Sequence, residues 1–139
     1  MSTIRKLTHG AVVKFTTDFD KVIEALKYIP EASNVYSEVF NTKPRIAIFV
    51  GEQYYLRAGS SLLVTTIVIE SSKETVVKII AGGGKVGLLD ISDWGASRDY
   101  VWKVIQWVSQ VLKLKPKLIT EVDYLDINKA HLMRGHVEG

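Results

Sequence analysis

The feature that most constrains this fold is a change of period along the chain. From Arg45 to Ala81 apolar residues mostly alternate, as on strands, whereas from Ser97 to Leu114 they recur every three or four residues, as on one long helix. Between the two lie Gly82-Gly83-Gly84-Lys85-Val86-Gly87 and Leu88-Leu89-Asp90-Ile91-Ser92-Asp93-Trp94-Gly95, a bend that feeds the helix. Consecutive antiparallel hairpins closed by one long C-terminal helix make an α+β domain, with the sheet wrapped around that helix.

Several classes are excluded by composition. At 139 residues the chain suits a single domain with a real core, and 47% hydrophobic with 24% charged residues is a globular balance. Apolar runs such as Leu62-Leu63-Val64 and Ile67-Val68-Ile69 fall far short of the roughly 20 residues of a membrane span. Met1 to His9 is polar and lacks a signal-peptide core, so the expected location is cytoplasmic. Absence of cysteine removes disulfides, thiolate metal sites and thiol nucleophiles. Three Asn, three Gln and two Met lean toward a thermophilic source. A net charge of +3 permits nucleic acid without requiring it.

Along the chain, Gly10 to Thr16 reads as a strand, with Ala11, Val13 and Phe15 on one face. Thr17 or Asp18 caps a helix running to about Ile29, whose stripe is Phe19, Val22, Ile23, Leu26 and Ile29. Glu31 to Thr42 is a short helix or a covering loop around Val35, Val39 and Phe40. Arg45 to Val50 is a strand, Gly51-Glu52-Gln53 a turn, and Tyr54 to Ala58 a second strand. Gly59-Ser60 forms a type II′ hairpin pairing Ala58 with Ser61. Tyr54, Leu56, Leu63, Thr65, Ile67 and Ile69 then share the inward face, opposite Tyr55, Arg57, Leu62, Val64, Thr66, Val68 and Glu70. The turn within Ser71 to Glu74 is expected to be odd, so that Val77, Ile79 and Ala81 point inward and Lys78 is solvated. On the long helix, Val101, Val104, Ile105, Val108, Val111 and Leu112 form the apolar arc, with Tyr100 and Trp107 on its rim and Trp102 outside it. Residues 1–116 form the domain; 117–139 are an apolar tail that packs on it or on a second subunit.

This order of elements resembles the helix-grip fold of the START and polyketide-cyclase-like superfamily in shortened form. With Tyr54-Tyr55-Leu56-Arg57-Ala58-Gly59, Gly82-Gly83-Gly84 and Gly87-Leu88-Leu89-Asp90-Ile91, the chain also looks like a small uncharacterised family from thermoacidophilic archaea. The resemblance covers about Gly10 to Leu114. It implies a helix-grip protein able to hold a fatty acid, and it carries over no catalytic residue.

Motif chemistry adds little. Gly82-Gly83-Gly84-Lys85 is followed by Val86 rather than Ser or Thr and lies ten residues before the helix, so it reads as a glycine bend and not a phosphate loop. His9, His131 and His136 lack metal-ligand spacing, and Asp90 and Asp93 suit a loop approaching a helix N-terminus. Lys113, Lys115 and Lys117 read as a solvated helix end without the aromatic platform that nucleic acid favours. No cofactor and no metal are implied.

The leading expectation is therefore non-enzymatic binding of a long apolar ligand, a fatty acid or acyl group, between sheet and helix. Ile46, Ile48, Leu56, Leu63, Ile67 and Ile69 line the sheet side; Val101, Val104, Ile105 and Val108 line the helix side; Tyr54, Arg57 and Lys78 are candidates for the head group. The alternatives are a cyclase- or hydrolase-like enzyme using Asp90, Tyr54 or Lys78 as acid or base, and an interaction module with no ligand. A homodimer is expected from Trp102 and from the apolar tail.

Overall fold

The structure is a computed structural model that describes residues 7–30, 33–56, 59–83 and 95–138. In chain order the elements are β1 (His9–Phe15), α1 (Phe19–Lys27), β2 (Ser33–Phe40), β3 (Ile46–Tyr55), β4 (Ser60–Ser71), β5 (Glu74–Gly83), α2 (Ala96–Leu112), β6 (Lys117–Val122) and a 3-10 turn, Ala130–Met133. The six strands form one antiparallel sheet in the order β2-β3-β4-β5-β1-β6, so the architecture is α+β. Among the described residues no helix is long and apolar enough to cross a membrane.

Both helices lie on one face of the sheet. The stripe Phe19, Val22, Ile23 and Leu26 buries α1, and Tyr100, Val101, Val104, Ile105 and Val108 bury α2. They pack on Ala11, Val13, Phe15, Ala47, Phe49, Tyr55, Leu62, Val64, Val68, Val77, Ile79 and Ala81 in one core. The indole N–H of Trp107 donates to the Ala25 carbonyl at 2.8 Å and ties the helices together. Arg45 ties α1 to the sheet: its guanidinium meets Asp20 at 3.1 Å and Glu70 at 2.9 Å, over the Phe19 ring.

The expected inward face is the outer one. Tyr54, Leu63, Thr65, Ile67 and Ile69 do share a face, but it is turned away from both helices, as the burial of Leu62, Val64, Thr66 and Val68 shows; Leu56 lies past the end of β3. Counting apolar residues misleads here because both faces are apolar. The inner face mixes small residues, Ala47, Val64 and Ala81, with large ones, Phe49, Leu62 and Ile79, while Ile46, Ile48, Ile67 and Ile69 stand on the outer face.

Four other expectations are corrected. Residues 33–40 are neither helix nor loop but the edge strand β2, with a bulge between Asn34 and Tyr36. Gly51-Glu52-Gln53 does not turn the chain; β3 runs straight through, because Glu52 pairs with Ser33 on one side and Leu63 on the other. Pairing on both sides overrides the local turn signal. The β3–β4 connection spans residues 56–59 rather than two residues, and Gly59, at φ 64°, donates its N–H to the Leu56 carbonyl. Ser61 therefore pairs with Tyr54 instead of Ala58, a move of four residues that leaves the faces unchanged. The β4–β5 turn is even, not odd: Ser71 pairs with Glu74 across Ser72-Lys73, with Lys73 at φ 62°.

The C-terminal segment packs on the domain itself. β6 pairs with β1, and beyond it Leu125, Met133 and Val137 cover Val12, Val76 and Val122 on the outer face. Gly10 permits this approach, since a Cβ there would lie 3.0 Å from both the Leu125 and Met133 side chains. The segment closes where Ser72 donates its backbone N–H to the Glu138 carbonyl at 2.9 Å.

Candidate functional site

The space expected to hold a ligand between sheet and helix is filled. Val13, Phe15, Ala11, Val68, Ile79, Tyr100, Val101 and Val108 have no accessible surface, so they line neither solvent nor a void large enough for water. Val101, Val104, Ile105 and Val108 are thus core residues of α2. The sheet-side candidates lie on the other side of the sheet from them, so the structure does not bring the two halves of the expected site together. Arg57, Asp90 and Asp93 lie outside the described residues.

The sheet-side candidates are, however, brought together with one another. Opposed positions fall into rows across the outer face: Phe40, Ile46, Ile69 and Val76; Glu38, Ile48, Ile67 and Lys78; Tyr36, Val50, Thr65 and Ile80. Farther along, Leu63 stands opposite Glu52, and Tyr54 opposite Ser61. The C-terminal segment covers the β5–β1–β6 side of this face and leaves the β2–β3–β4 side open. There Ile46, Ile48, Val50 and Ile67 are half-buried by one another, while Tyr36, Tyr54 and Leu63 are each more than half exposed. Leu56, 84% exposed, projects from the loop at the end of β3.

Lys78 borders this open strip. The even turn sets it opposite Ile67 on one side and Val12 on the other, and it makes no hydrogen bond or ion pair with any described residue. Partial burial among apolar neighbours pulls its ammonium below the usual lysine range. It is the predicted head-group residue that lies in the same row as Ile48 and Ile67. Tyr54 stands two strands away and six residues farther along, on the order of 20 Å by strand geometry.

A second constellation was not foreseen from sequence. His9, 3% exposed on β1, has Nε2 at 2.7 Å from Glu121 and Nδ1 at 2.8 Å from Asp123. The same Glu121 oxygen accepts from the Trp102 indole N–H at 2.7 Å and meets Arg98 Nε at 3.1 Å. Burial opposes ionisation of Glu121, but the hydrogen bonds from Trp102 and His9 and the charge of Arg98 outweigh it and hold the carboxyl below its ordinary range. Both ring nitrogens of His9 and one Glu121 oxygen are engaged within the cluster. It fastens the C-terminal segment to β1 and α2. Trp102 is therefore bonded within its own chain, to the C-terminal segment.

Other polar features are dispersed. The Tyr100 hydroxyl is buried in the core, where burial, first, and the neighbouring Tyr55 and Glu52 push its ionisation far up. Depressions of about 450 Å³ and 420 Å³ lie at the surface, the first beside Pro44, Glu70, Ser72 and Val137, the second along Arg98, Trp102 and Gln106 on α2. Among the described residues, no three His, Asp or Glu side chains are arranged to hold a metal ion.

No curated protein matches this chain. A family model does, over residues 1–112, from before β1 to the end of α2, and it takes in every strand of the open outer face while leaving out Glu121 and Asp123. That match spans most of the sequence, and the chain belongs to the DUF6054 family, a family of unknown function.

Proposed function

We propose that the protein is a non-enzymatic interaction module whose working surface is the open outer face of the sheet, taking an apolar partner that brings a negative charge. The observation that carries this reading is the pairing of Lys78 with Ile67, which sets an ammonium with no counter-ion among the described residues at the edge of an apolar strip. Desolvation without a partner is costly, so an anion delivered by the partner would be favoured there. The filled core supports an interaction module over internal ligand storage. Separation of Tyr54 from Lys78 argues against their serving as an acid–base pair.

The acyl-ligand reading retains one observation in its favour, the same Lys78 on an apolar floor. A carboxylate would meet the ammonium while its chain lay along Ile48 and Ile67, each buried methylene contributing about 0.8 kcal/mol. We also infer that the fold is a helix-grip variant. Its support is that β1 pairs with β5, the last strand before the long helix, and that α2 packs across β5, β1 and β4. β6, added beyond β1, would be the departure from that plan.

Dodecanoate and dodecanol titrated into isotope-labelled protein test this reading. Dodecanoate is expected to shift the methyl resonances of Ile48 and Ile67, and Lys78→Met is expected to weaken it about tenfold, the worth of one charge-assisted contact, with little change for dodecanol. Shifts confined to Val101, Val104 and Val108 would instead place the ligand in the core and end the outer-face reading.

A further inference from the structure

We propose that the partner of the open face is a second copy of this chain, packed sheet on sheet; this rests on the reading of that face as the working surface. Glu38, Ile48, Ile67 and Lys78 stand opposite one another on β2, β3, β4 and β5 and make one row across the sheet. With strands about 4.8 Å apart, the carboxylate and the ammonium are separated by about 14 Å, with the two isoleucines between them. A two-fold axis lying along the strands, between β3 and β4, carries β2 of one copy over β5 of the other. Glu38 then faces Lys78 twice and Ile48 faces Ile67 twice. The row is complementary to itself, which is the requirement of an isologous interface.

Neighbouring residues favour the same occupant. Tyr36 and Val50 on one side of the row, Phe40 and Ile46 on the other, extend the apolar strip around the proposed axis. The Tyr36 hydroxyl donates to Glu38 and fixes that carboxylate on the outer face. Lys78, which meets no anion among the described residues, gains one. Size agrees as well: a ten-residue β3 at about 3.4 Å per residue and the width of the three uncovered strands, β2 to β4, give roughly 500 Å² per copy, or about 1,000 Å² for the pair. That lies at the low end for a specific interface, so the dimer is expected to be reversible. A flat apolar strip also suits a second sheet, at about 10 Å spacing, better than it suits a small molecule that needs enclosure.

Sedimentation equilibrium of the full chain, with Lys78→Glu, Glu38→Lys and the variant carrying both, tests the proposal. Each single reversal is expected to weaken dimerisation at least about tenfold, and the double reversal to restore it to within about threefold, because the pairs are re-formed with exchanged signs. Circular dichroism checks that each variant is folded, and Ile67→Asp, beside the axis, supplies an independent disruption. A chain that stays monomeric at millimolar concentration overturns the inference, as does a dimer indifferent to all four variants. The two failures differ in reach. A monomer that still binds dodecanoate through Lys78 leaves the outer-face reading standing, whereas a dimer built elsewhere, with no Lys78-dependent binding, removes both.

Discussion

Glu121 shows how much one carboxylate can organise. It gathers an imidazole, an indole and a guanidinium from β1 and α2, and those bonds exist only if the C-terminal segment is docked. Glu121→Gln keeps the shape but loses charge-assisted bonds, and a stability loss of about 1.5–3 kcal/mol is expected in urea unfolding at neutral pH. The pH dependence follows from the direction of its shift. A carboxyl held below its ordinary value stabilises the fold above the unfolded-state value, and that contribution is lost as pH falls through the folded-state value. The gap between wild type and Glu121→Gln is therefore expected to be widest at neutral pH and to narrow between about pH 5 and pH 3. An equal gap at all three of pH 7, 5 and 3 would assign the loss to packing rather than charge. From sequence His9 shows only a lack of metal-ligand spacing; its structural role appears through its bond to Glu121, more than a hundred residues away.

Among the elements, periodicity carried the helices further than the strands. The α1 stripe from Phe19 to Leu26 and the α2 arc from Val101 to Val108 are buried as their spacing requires, although Val111 at the end of the arc is largely exposed. Strand faces were legible as sets but not as sides, because a sheet apolar on both faces gives alternation no polar reference. The Lys78 register was decided by a two-residue turn whose second residue, Lys73, adopts positive φ without being glycine, so no glycine marked it. Val77, Ile79 and Ala81 face the helices as expected, since the errors in side and in register cancel. The site followed the same logic: Ile46, Ile48, Leu63, Ile67 and Ile69 share one face, but that face is turned away from the helix they were assigned to meet, and Lys78, expected on the opposite face, joins them through the even turn. One element boundary invites a direct test. α2 ends on Lys113 in the left-handed region, at φ 56°, where glycine is at ease and other residues are strained. Lys113→Gly is expected to stabilise the protein by about 0.5–1 kcal/mol. A lower midpoint in thermal or urea unfolding would mean that the Lys113 side chain contributes more than its backbone costs.

For the whole molecule, the layers divide the work. One face of the sheet is committed to a dry core under two helices, and half of the other is closed by the chain's own C-terminal segment. What remains open is a strip bounded by Lys78 and Glu38, and that is where recognition is proposed. β1 has a further consequence, one of timing. It is an early element, yet it lies between β5 and β6, pairing His9 with Ala81 and Gly10 with Val122. The hairpins of β2 to β5 can zip locally, but the strand through the middle of the core must wait for partners far downstream. Closing such loops precedes any reward from the contacts they allow. Refolding is therefore expected in the millisecond-to-second range rather than in microseconds, and stopped-flow tryptophan fluorescence would measure it. Until that seam closes, the β5 edge is bare, and a newly made chain is at its most prone to pair with a neighbour.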